Sequence, residues 1–399
     1  MKILHFASHF SLLSETFIYD EILALEKLHP HSNTVLTFHR HLEKERPYHR
    51  VDVLRQSPSF TQNLHRRYLK HFKGIRIPRQ PFPLCSYLDK NLDSFDIVQA
   101  HFGWNAVTLW QALKLLGREK QKPILVRCQG SDINSKPRLE PDYRKIFLEL
   151  AGAGNVLLTA NSDCMKQKML RLGIDPAKIH PVANAFNNSF QTRRKQHFFK
   201  PGGCLKLVNT ARFIEWKGQS YLVKGFARFV REVYENSVLT LIGDGETLNQ
   251  VKQLAAAEGV SDRLRFPGSV PHHDLAQALS ENDLYVHPSI IDPKTFQEEG
   301  LPIAVLEALA VGLPLIVTRT GGMPEIVGED SPFARIVPDR DAEAIFRALK
   351  EMFEAGACFQ DTSAWSQKRL AAFTSERQMQ DLKSAYAKVL HNCRSAAAA

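Results

Sequence analysis

The stretch "FQEEGLPIAVLEALAVGLPLIVTRTGGMPEIV" spans Phe296–Val327. It reads as core, yet Glu298 and Glu299 open it and Glu307 sits inside its apolar run. The turn Gly300–Pro302 predicts a helix starting near Leu301, with Glu307 about one turn in. After it, "LPLIVT" (313–318) reads as a strand. A helix feeding directly into an apolar strand belongs to an α/β unit. The amino end of such a helix offers free N–H groups that favour a bound anion. Buried carboxylates need partners. A polyhydroxylated ligand supplies them: Glu307 can hold a ribose, and Glu299 can accept from sugar hydroxyls.

Outward from this stretch, short apolar runs alternate with helical periods. Strands are expected at 2–7, 34–39, 96–102, 123–129 and 155–161, then at 205–211, 237–243, 264–268, 283–289, 313–318 and 334–338. Helices such as 14–28, with Ser14 at its start, and 106–117 lie between them. The fold class is therefore α/β, with two Rossmann-like doubly wound parallel-sheet domains facing a central cleft. The expected domains are 1–190 and 204–372. Between them lies a linker near 186–204, rich in Asn, basic residues and glycine. An amphipathic helix at 375–392 ends the pattern. The stretch 37–90, with its aromatic-basic core at 65–82, reads as a surface excursion suited to anionic lipid or to plain solvation.

Residues 1–200 hold 31 Lys and Arg against 17 Asp and Glu, whereas the remainder holds 21 against 25. A basic first half points to an anionic partner there: a membrane surface, a phosphorylated acceptor or a nucleic acid. The apolar run at 301–317 is too short and too interrupted to span a bilayer. Six scattered cysteines without a C-x-x-C pair suggest a reducing cytoplasm and no thiolate metal site.

A bound pyrophosphate needs cations. "ARFIEWKG" places Arg212 and Lys217 just after the strand 205–211, at the strand end where ligands bind in such sheets. Other motifs read more plainly. "GDGE" (243–246) is an incomplete dinucleotide fingerprint and reads as a strand-ending turn. Asp339-Arg340-Asp341 reads as a helix cap. His101 reads equally as a site group or a satisfied core histidine, and Asp132 as a site group or a turn former.

The order "ARFIEWKG", "LTLIGDGE", "RFPGSV", "DLYVHPS" and "EEGLPIAVLEALAVGLPLIVTRTGGMPEIV" resembles the donor half of the retaining glycosyltransferases of family four, which have the GT-B fold. "SETFI" (14–18), "QAHFG" (99–103), "QGSDI" (129–133) and "VANAFNNSF" (182–190) extend the resemblance, more loosely, to acceptor domains of exopolysaccharide, capsule and lipopolysaccharide sugar transferases. The resemblance implies a nucleotide-sugar donor. Arg212, Lys217 and Glu299 would be catalytic; Glu307, Gly300, Leu301 and Val270 would bind the donor; His101, Gln129 and Asp132 would lie on the acceptor side. It implies no cofactor and no required metal. It also implies a lipid-linked saccharide or lipopolysaccharide acceptor, an anionic membrane surface as partner, no nucleic acid, and a cytoplasmic location at the inner membrane face. Gln129 stands where many relatives carry His, and "FSLLSETF" replaces a glycine pair of the family. The rival readings are a GT-B epimerase or phosphorylase-like enzyme and, from another class, a basic nucleic-acid-binding protein.

Overall fold

A computed structural model describes residues 1–12, 15–54, 81–194 and 199–398. Ser14 and most of the expected basic excursion, residues 55–80, lie outside the described residues. The chain forms two compact units: Met1–Asn161 with Lys166–Val182 and Gln378–Ala399, and Ser162–Met165 with Ala183–Arg377.

The first unit holds β1 (Ile3–Phe6), β2 (His9–Phe10), β3 (Asn33–Thr37), β4 (His39–Arg40), β5 (Val51–Val53), β6 (Ile97–His101), β7 (Ile124–Arg127), β8 (Val156–Ala160) and β9 (Ile179–Pro181). Seven of these pair in parallel in the order β5-β3-β1-β6-β7-β8-β9, and β2 pairs with β4 separately. β1, β6, β7 and β8 are buried at every position. Strands covered on both faces need continuous apolar runs, which is why their sequences do not alternate. The helix Ser375–Ala398 packs back onto this unit. Met379, Leu382, Tyr386 and Val389 recur at helical spacing and meet Ile3, Leu25, Ile97 and Leu125.

The second unit holds β10 (Leu205–Thr210), β11 (Ser237–Ile242), β12 (Leu264–Gly268), β13 (Leu284–His287), β14 (Leu315–Thr318) and β15 (Ala334–Val337), parallel in the order β12-β11-β10-β13-β14-β15. Its strands alternate between two cores. Leu207, Leu239, Leu284 and Ile316 face helices Gln219–Glu232 and Ala342–Glu354. Val208, Tyr285, Leu315 and Val317 face helix Ile303–Ala310.

The sequence placed the first domain's end at residue 190, but the second unit takes the chain from Ala183. Phe186 and Phe190 cause the difference: these apolar anchors, set among polar neighbours, are buried in the second unit's core. Asp341 accepts a hydrogen bond from the Ala344 amide at 2.8 Å and caps its helix, as its motif predicts. Among the described residues, no helix is long and apolar enough to cross a membrane.

Candidate active site

The site is built from loops at the carboxyl ends of β10, β13 and β14. After β10 the chain turns through Ile214–Gly218. Gly218 has φ +69°, and a Cβ there would lie 2.0 Å from the Pro288 carbonyl oxygen. Only glycine lets the Lys217 loop approach the loop that follows β13 this closely. After β14, Gly321 has φ +52°, and a Cβ there would lie 2.2 Å from the Glu299 carbonyl oxygen.

These approaches bring Lys217 Nζ to 2.5 Å from Glu299 Oε1, with both side chains largely buried. His287 Nε2 lies 2.8 Å from the same oxygen, and the Ser289 hydroxyl donates to it at 2.6 Å. Among the described residues, Glu299 Oε2 has no hydrogen-bond donor, so three donors hold one oxygen and leave the other to accept. Burial alone would push the Glu299 carboxyl up; Lys217 and His287 outweigh it and hold the group well below the usual carboxylate range.

A hydrogen-bond chain continues behind His287. Its Nδ1 lies 3.0 Å from the Tyr285 hydroxyl, which lies 3.1 Å from Thr210 Oγ1. Tyr285 and His287 share a face of β13 because strand side chains alternate. Burial pushes the His287 imidazole down, against the opposing pull of Glu299. The neutral ring then donates from Nε2 and accepts the tyrosine proton at Nδ1. Tyr285, His287 and Ser289 were missed by the sequence reading, although they stand in "DLYVHPS". A polar side chain in a fully buried strand was the available signal.

His287→Ala removes one donor from Glu299 and is expected to lower the turnover of any reaction this pair serves about 10- to 100-fold, the range of one hydrogen bond to a charged group. His287→Gln, which can still donate, should recover part of it. KM should move less than kcat, and an equal loss in both variants with a lowered melting point would reduce His287 to a packing role.

Other expected site residues are placed as follows. Glu307 is buried in helix Ile303–Ala310, and its Oε1 lies 2.8 Å from His272 Nε2. Arg212 is exposed, and its carbonyl accepts from Gln219 Nε2 at 2.9 Å. Val270 is half-buried against the core beside Glu307's helix. The Gly300 carbonyl accepts from the Gly322 amide at 2.7 Å. The Leu301 side chain is buried in that core, so only its backbone is available to a ligand.

The three residues assigned to the acceptor side are interior groups. His101 is 1% exposed, and its Nε2 lies 3.2 Å from His5 Nδ1 and 3.4 Å from Gln99 Nε2. Burial, with His5 and Arg127 nearby, pushes its imidazole well down, so it is a neutral core histidine. Asp132 is fully buried and accepts from the amides of Gly103, Gln129 and Gly130 at 2.8 to 3.2 Å. It organises its loop, the turn-forming alternative. Gln129 is buried, and its Oε1 lies 3.4 Å from Asn161 Nδ2.

Two further polar atoms beside the pair are buried without partners among the described residues: Trp216 Nε1 and Thr320 Oγ1. Lys217 Nζ stands 4.2 Å over the Trp216 ring, and Thr320 precedes the Gly321 that touches Glu299. Buried polar atoms are rarely left unpaired, so each is available to a water or to a polar ligand.

Residues 190–368 match a family model described as glycosyl transferases group 1, and residues 14–190 match one described as glycosyltransferase family 4. The chain belongs to the glycosyltransferases. This glycosyltransferase is 29% identical over 262 residues to the Salmonella typhimurium WcaL protein, named for colanic acid biosynthesis. The match covers 64% of this chain and 61% of that one. It is 27% identical over 380 residues to WcaL of Escherichia coli, with 88% and 90% covered. With AmsK of Erwinia amylovora, an amylovoran biosynthesis glycosyltransferase, identity is 27% over 71% of this chain and 68% of AmsK. Among solved structures, the Anabaena HepE complex with UDP aligns at a TM-score of 0.74 and 17% identity, over 97% of this chain and 100% of that one. The glycosyltransferase has the GT-B fold class of two parallel-sheet α/β units.

Proposed function

We propose that this glycosyltransferase transfers a sugar, with retention of configuration, from a nucleotide-diphosphate donor to a lipid-linked saccharide or lipopolysaccharide-type acceptor in bacterial cell-surface polysaccharide synthesis. The observation that carries the donor reading is the buried Lys217–Glu299 pair, with one carboxylate oxygen saturated and the other open. The polysaccharide names of WcaL and AmsK, and the UDP held by HepE, support the same reading.

In this reading, departure of the nucleotide builds negative charge on the diphosphate. Lys217 has three N–H donors and gives one to Glu299, so the others can turn to the diphosphate. Arg212 adds a second cation. Stabilising charge that develops in the transition state is the largest lever such a site has. Glu299 Oε2 accepts from a hydroxyl of the departing sugar and fixes its orientation, and Glu307 accepts from the ribose. Trp216 Nε1 and Thr320 Oγ1 find their missing partners on the same ligand. With these cations on the leaving group, transfer needs no metal. The acceptor meets the first unit, and the basic first half draws the enzyme to the cytoplasmic face of an anionic membrane.

A thermal-shift panel of sugar nucleotides tests the donor. One member should raise the melting point of the wild type and not of Lys217→Ala, because a ligand favouring the native state stabilises it. A flat panel on folded protein would count against this site. Anomeric inversion in the product, read by NMR, would remove the retaining step. Equal flotation with neutral and anionic liposomes at low salt would remove the membrane part.

A further inference from the structure

We propose that Glu26, His31 and His49 form a binding site for a zinc-class divalent cation in the first unit, separate from the transfer chemistry. Glu26 lies near the end of helix Thr16–Leu28, His31 in the turn that follows, and His49 just before β5. One ligating atom from each lies within 4.8 Å of the other two. Donor atoms on a tetrahedral zinc ion with bonds of ~2.1 Å stand ~3.4 Å apart, so the two exposed histidines must rotate inward to close the set. Two imidazoles and a carboxylate are a donor set that zinc takes, with positions left for water.

The surroundings orient these ligands. Glu26 Oε1 accepts from the His31 amide at 2.7 Å, and Oε2 accepts from Asn33 Nδ2 at 2.9 Å and from the Tyr48 hydroxyl at 3.2 Å. A carboxylate has about four acceptor positions, so one remains for a cation. Asn33 is itself held, its Oδ1 lying 3.1 Å from His5 Nε2. Supporting hydrogen bonds of this kind fix ligand direction in metal sites. His31 has φ +61°, an uncommon conformation for a non-glycine residue, and the Arg50 guanidinium donates to its carbonyl. The His31 and His49 rings meet edge to face at 6.1 Å. An open cavity of about 390 Å³, lined by Leu23, Glu26, Glu43, Pro47, Tyr48 and His49, borders two of the three ligands. A bound cation would tie the helix end, the turn and the β5 approach together.

The test uses the full chain, stripped with EDTA and dialysed, titrated with Zn²⁺ by calorimetry and with Co²⁺ by visible absorption. Wild type should bind one equivalent saturably. His31→Ala and His49→Ala should each weaken binding at least ten-fold and alter the Co²⁺ bands, with metal-free melting points unchanged. Glu26 is left intact because it holds three hydrogen bonds. Seven of the sixteen histidines lie in the first 50 residues, so His9→Ala is the control and should bind like wild type. Binding undiminished in the double variant, loss in His9→Ala instead, or no wild-type binding at micromolar zinc would each overturn the proposal. Sugar transfer should persist in EDTA; its loss there, with the histidine variants active, would count against the metal-free transfer and not against this site.

Discussion

Lys217→Ala is expected to lower sugar transfer by about two to three orders of magnitude, the cost of removing one preorganised charge-stabilising donor. Two roles end together in this variant. On the proposed reading the donor diphosphate loses a buried cation, and Glu299 keeps only His287 and Ser289 as donors. Glu299→Gln should be comparably impaired, because its amide cannot accept from both Lys217 and a sugar hydroxyl with a full negative charge. Steady-state kinetics beside circular dichroism would read the result, and near-normal turnover in both variants would place the chemistry elsewhere. The carboxylate also sets a pH window. Its folded-state pKa is depressed below the unfolded value of about 4.3. The stabilisation is therefore full above the unfolded value and is lost as pH falls through the lower folded one. The melting-point gap between wild type and Glu299→Gln should hold steady from about pH 8 to pH 5 and shrink only in stronger acid.

The central strands were legible because they are largely covered on both faces. β1, β6, β7, β8, β10, β11, β13 and β14 all appear as apolar runs between helical periods. β9 and β5 are three residues each and partly exposed, so no such run marks them. Glu299 and Lys217 stood out as charges beside turns at strand ends, and the structure brings them into contact. What supports them was harder to see. His287 lies twelve positions before Glu299, and a buried strand histidine carries no label of its partner. For His101 the sequence left a site group and a core histidine both open. Its ring points into a polar interior assembled from β1 and β6, which no local pattern reveals. The same limit hid a larger feature. Arg127 stands in "PILVRCQ" as a charge in an apolar strand, the signal that made Glu307 informative, but its partner is 106 residues away.

Arg127→Ala should cost the first unit about 3–5 kcal/mol, the usual penalty for leaving a buried charge without its partner. Arg127 is 0% exposed and Glu21 is 2% exposed. The guanidinium meets the Glu21 carboxylate at 2.8 Å and also donates to Thr159 Oγ1 and the Val182 carbonyl, both at 3.0 Å. Glu21 further accepts from Gln99 Nε2 at 2.7 Å and Gln378 Nε2 at 3.2 Å, and the Tyr386 hydroxyl donates to Gln99 Oε1. One ion pair thus joins helix Thr16–Leu28, three central strands and the C-terminal helix. Loss of the arginine strands a carboxylate in the interior and loosens the helix that carries Gln378 and Tyr386. Hydrogen exchange over residues 378–390 should rise in the variant along with the drop in denaturation midpoint. The double variant Glu21→Leu with Arg127→Met should recover much of the loss, because apolar replacement of a whole buried pair is often neutral or stabilising. An unchanged midpoint in Arg127→Ala, with the helix still protected, would mean that apolar packing by Leu382 and Val389 holds the helix without the pair.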